Sequence, residues 1–151
     1  MAKFVYKMQS LLNIKEKLEE QAKTAFGLAK AILNEEETKL AEFVAKKNNY
    51  VEQKRQEMSA SINVHELTQL EHAVKSMEYR IAEQILVVRQ AEKNVQLAQA
   101  KLDNAMKERK IQEKLREHAL EDFLKEVEAA EQQEINELVT FRFGKAKERE
   151  E

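Results

Sequence analysis

The chain has 151 residues, with no proline, cysteine or tryptophan and only two glycines. Charged residues make up 36 % of it and the formal net charge is −2, whereas an ordinary globular domain is about 25 % charged. Turn-rich sandwiches, barrels and doubly wound sheets are excluded, because nothing supplies their corners. Disulfides and thiolate metal sites are excluded with the cysteine, and no overall positive field favours nucleic acid.

What remains is an all-α chain with few corners. No apolar run approaches the roughly 18 residues of a membrane span, and Met1–Lys7 lacks the uncharged stretch of a signal peptide. Much of the apolar content is alanine, with eighteen residues, which suits narrow seams better than a thick core.

In chain order, the first predicted helix spans about residues 3–58. Phe4, Leu11, Leu18, Ala25 and Ile32 recur every seven residues, with Ile14 and Leu28 on the same stripe. The stripe resumes at Leu40, Phe43, Lys47 and Tyr50, so a stutter is expected near Glu35–Glu37. A turn is expected at 59–63, Ser59-Ala60-Ser61-Ile62-Asn63. Asn63 reads as an N-cap, with Glu66 at N3.

The second predicted helix spans about 64–143 and carries the clearest signal. Leu67, Leu70, Val74, Met77, Ile81, Gln84, Val88, Ala91, Val95, Ala98, Leu102 and Ala105 follow coiled-coil spacing, and all but Gln84 are apolar. Folding back at about residue 60 sets Ala29 against Ala91, Ala22 against Ala98, Leu18 against Leu102, Ile32 against Val88, Phe43 against Met77 and Tyr50 against Leu70. The expected fold is therefore two long helices in an antiparallel intramolecular coiled coil, one domain over 1–151, with the second helix longer. Its overhang from Ala119 carries Phe123, Val127, Ala130 and Leu138 without an internal partner. Gly144 reads as a left-handed helix end, with a frayed tail at 144–151.

No catalytic, cofactor or metal constellation is present in the sequence. Two isolated glycines make no phosphate loop, His65-Glu66 lacks a second histidine at Gln69, and no Glu-x-x-His occurs. Arg109 and Arg116 fall on seam positions, where their stems can cover Leu11 and Phe4. An acidic run from Glu121 to Glu137 follows a basic one and suits a basic partner surface.

Two stretches resemble the flagellar FliJ family. One is Lys3-Phe4-Val5-Tyr6-Lys7-Met8-Gln9-Ser10-Leu11-Leu12-Asn13-Ile14-Lys15-Glu16. The other runs from Lys114-Leu115-Arg116-Glu117-His118-Ala119-Leu120-Glu121-Asp122-Phe123 to Glu134-Ile135-Asn136-Glu137-Leu138. The resemblance implies a non-enzymatic stalk of the flagellar type III export apparatus, without cofactor. It implies contact with the export ATPase ring, the membrane export gate and export chaperones, and a cytoplasmic location against the membrane at the flagellar base. By that analogy the open end, with Phe4, Leu11, Arg109, Arg116 and Phe123, enters the ring. The gate contact falls on Phe43, Tyr50, Leu70, Ala73 and Met77. The stalk reading expects a chain that is monomeric alone. A structural coiled coil dimerising through an apolar stripe stays open. So does a prefoldin-like holdase, although that needs strand-forming runs this chain lacks.

Overall fold

A computed structural model describes residues 2–60 and 63–150. The chain forms two helices, α1 (Gln9–Ala60) and α2 (Val64–Glu150), and no strand among the described residues. They pack antiparallel as a helical hairpin. Internal contacts group into two compact units. One contains residues 20–104, and the other joins the residues up to Glu19 with those from Ala105 on.

Within the first unit the α2 seam is the one read from the sequence. Every position from Leu67 to Leu102 in that series is buried or half-buried. Met77, Val88 and Ala91 are its most enclosed apolar residues. Gln84 also lies inside; its amide donates to the Glu36 backbone carbonyl (2.9 Å) and side-chain carboxylate (2.6 Å). A buried amide needs such partners to offset its lost hydration.

The α1 seam differs from expectation. Its covered positions are Leu12, Lys15, Glu19, Ala22, Phe26, Ala29, Leu33, Glu36, Leu40, Phe43, Lys47, Tyr50, Lys54 and Glu57. These alternate steps of three and four without a break, so no stutter occurs at Glu35–Glu37. Ile14, Leu18, Ala25, Leu28 and Ile32 lie on an exposed neighbouring stripe instead. The apolar pattern misled because six seam positions carry charge. Those charges are tolerated because most meet a polar partner on α2: Lys47 bonds Glu78 at 3.6 Å, and Lys15 bonds Glu108 at 2.7 Å. The facing pairs centre on a fold-back point near residue 62 rather than 60, a displacement of about one helical turn in the partner.

Ser59 and Ala60 belong to α1; Ser61 and Ile62, also expected in the turn, lie outside the described residues. Asn63 caps α2 as read: its Oδ1 accepts from the backbone N–H of His65 (3.1 Å) and Glu66 (3.4 Å).

In the second unit α1 begins at Gln9, later than the expected Lys3. The preceding residues cover α2 by alternation: Phe4 and Tyr6 are half-buried while Lys3 and Val5 are exposed. A non-helical segment spans about twice the length per residue of a helix. Phe4 therefore reaches Phe123, and cover on α2 extends through Ala119, Leu120, Phe123 and Val127. The expected unpartnered overhang accordingly starts at Glu128, and Ala130 and Leu138 are exposed. Gly144 does not end α2. It has no positive φ, and the helix continues to Glu150. Lys145, Ala146, Lys147 and Glu148 are good helix formers that carry it on.

Candidate functional site

The unit holding both termini gathers four of the five residues expected at the open end into two clusters. Phe4 and Phe123 meet with ring centroids 5.5 Å apart, tilted by 52°. The Arg116 guanidinium sits 5.8 Å from the Phe4 ring centroid, and its Nε donates to Gln9 Oε1 at 3.1 Å. Such a cation over a ring face is favourable by about 0.5–1 kcal/mol at an exposed site. Arg109 lies on the seam between two carboxylates. It bonds Glu19, which is only 5 % exposed, and Glu113 at 2.8 Å. Those two bonds, Glu113 first, hold its pKa above the ordinary guanidinium value. Leu11 is half-buried beside buried Leu12. Tyr6 adds a long hydrogen bond to Gln112, at 3.4 Å.

In the other unit the five gate candidates all lie on or beside the seam. Phe43, Tyr50, Leu70 and Ala73 are half-buried, and Met77 is buried. Leu70 and Ala73 line a cleft of about 690 Å³ with Gln53, Gln56, Glu57 and Glu66. Of these, sequence reasoning singled out only Leu70 and Ala73 as contacts, because polar residues in a charge-rich chain give no apolar signal. Glu57 has an enclosed Oε2 with no hydrogen-bond donor in reach. The hydrogen bond to Glu66, then burial, then the Glu66 charge raise the Glu57 pKa above the ordinary 4.5.

The alanine-rich stretch gives a smaller groove of about 340 Å³. Ala22, Ala25, Ala29 and Ala98 line it, with Leu97, Asn94 and Lys101. Among the described residues no group of three or more histidines and carboxylates is placed to hold a metal ion, and no helix is long and apolar enough to cross a membrane.

Two helices closed on each other by a seam of apolar residues interrupted by polar layers define a coiled-coil hairpin protein, whose chemistry lies along its surfaces. The chain belongs to the FliJ family: the family model described as flagellar FliJ protein matches residues 4–148. It is thus a component of flagellar, type III protein export. No curated protein sequence matches it. Among solved structures it is similar in fold to a putative YscO homolog, CT670, from Chlamydia trachomatis. The identity is 22 % and the TM-score 0.53, covering 97 % of this chain and 99 % of that one.

Proposed function

We propose that the chain is a non-enzymatic stalk and adaptor of the flagellar export apparatus, which engages the export ATPase ring and links it to the membrane export gate and to export chaperones. The family match over residues 4–148 carries this reading. The ring-facing surface is the unit with both termini, through Phe4, Leu11, Arg109, Arg116 and Phe123. The Phe4–Phe123–Arg116 cluster supports the choice, since it offers aromatic area and an exposed guanidinium together. The acidic run from Glu121 to Glu137 faces basic residues of the ring.

The gate-facing surface is the half-buried set Phe43, Tyr50, Leu70 and Ala73, with Met77 beneath it as support. The protein works on the cytoplasmic side, held at the membrane through its partners.

Mixing the purified chain with the flagellar export ATPase tests the main claim. The expected result is binding with a change in ring assembly or ATP turnover, weakened by Phe4→Ala and Arg116→Ala. Absence of both binding and any change in assembly or turnover sinks the stalk reading. For the gate, Tyr50→Ala with unaltered helicity and unaltered binding to the gate's cytoplasmic domain removes that contact.

A further inference from the structure

The end of α2 is uncovered by the rest of the chain. Every residue whose exposure is described from Glu128 to Arg149 is exposed, including Ile135 at 53 %, Leu138 at 60 % and Phe141 at 61 %. Leu138, Phe141 and Lys145 lie about five helical turns beyond Leu120, Phe123 and Val127, on the same face of the helix. The face that is covered around Phe123 therefore continues, uncovered, past Leu138. Glu131, Glu134, Ile135 and Arg142 share it.

The pattern on this face is symmetric in spacing about Leu138 and opposite in charge. Ile135 lies three residues before it and Phe141 three after. Glu134 lies four before and Arg142 four after. Glu131 lies seven before and Lys145 seven after. A parallel copy would set like charges together, whereas an antiparallel copy matches each carboxylate with a cation and each apolar residue with another. Such a self-complementary patch is what a two-fold interface needs.

We propose that the end of α2 is a self-association surface, on which a second copy of this chain docks antiparallel about a two-fold axis near Leu138. Glu131 and Glu134 of each copy face Arg142 and Lys145 of the other. The interface is short and buries less than about 1,200 Å² in total, so the dimer is transient and weakens as salt rises. This proposal rests on the spacing along α2 and not on the export reading; it departs from the monomer that reading expects, and the second copy competes with the ring for Glu131 and Glu134.

Sedimentation of the full chain over a concentration series at low salt tests it. The average mass should climb from one chain toward two. Arg142→Glu/Lys145→Glu and Glu131→Lys/Glu134→Lys should each raise the dissociation constant about tenfold or more. An equimolar mixture of the two variants should dimerise at least as tightly as the original chain, since both ends are then complementary. The chain has no cysteine, so Leu138→Cys should couple to itself with a short bismaleimide, while Thr140→Cys on the opposite side of the helix should not. The proposal is overturned by a chain that stays monomeric at every concentration, by charge-reversed variants that associate as the original does, or by equal coupling at 138 and 140. Binding of the same face to anionic vesicles without any self-association would give it a different occupant and likewise overturn it.

Discussion

Glu19 and Glu57 are two seam carboxylates with opposite consequences. Glu19 is almost fully enclosed and bonded to Arg109. Arg109→Leu withdraws the guanidinium from both Glu19 and Glu113, and removing one member of an enclosed pair costs more than the pair contributes. We expect a lower melting temperature, read by thermal unfolding. Glu57 has a raised pKa, so the folded state favours its proton. Its contribution is fully present below the ordinary carboxylate value of 4.5 and is lost as pH rises through the elevated folded value. Glu57→Gln should therefore flatten the fall in melting temperature between acid and neutral pH; an unchanged pH profile would show that the Glu66 contact does not matter. Neither role was legible in the sequence. Burial of a charge depends on what the other helix places opposite it.

Along each helix, legibility tracked the chemistry of the seam. The α2 seam is nearly all apolar, so its spacing alone located every position from Leu67 to Leu102. On α1 the better apolar stripe, Leu18, Leu28 and Ile32, is the exposed one. The true seam is concealed by Lys15, Glu19, Glu36 and Lys47. The N-terminal arm shows the same limit: Phe4 was singled out, but its ring partner depends on the chain before Gln9 being non-helical. Polar layers such as Glu36–Gln84 hold register at some cost in stability. Replacing that layer, Glu36→Leu with Gln84→Leu, should raise the melting temperature yet admit shifted pairings. Cysteines at positions 47 and 78 should then cross-link in lower yield than they do with the layer intact. Gly27 is a simpler case. It sits mid-helix, a Cβ there meets nothing within 4 Å, and Gly27→Ala should stabilise by about 1 kcal/mol.

At the scale of the whole molecule, little is hidden. The accessible surface is 12344 Å², against about 8,000 Å² for a globular monomer of this mass. Only Leu12, Met77, Val88 and Ala91 count as buried apolar residues among those described. Urea unfolding followed by circular dichroism should therefore give a slope below that of globular proteins of equal length, because the slope scales with newly exposed surface. The contacts between the helices also form a ladder in sequence distance. Glu36 and Gln84 are 48 residues apart, Lys15 and Glu108 are 93 apart, and Tyr6 and Gln112 are 106 apart. Closing the longest loop first is entropically the most demanding route, while each rung beyond the Asn63 cap lengthens the closed loop by only a few residues. The hairpin thus folds like a zip from its turn and opens from its termini. Native-state amide exchange should record this as protection that grades along both helices, with the Phe4–Phe123 contact released before Gln84 lets go of Glu36.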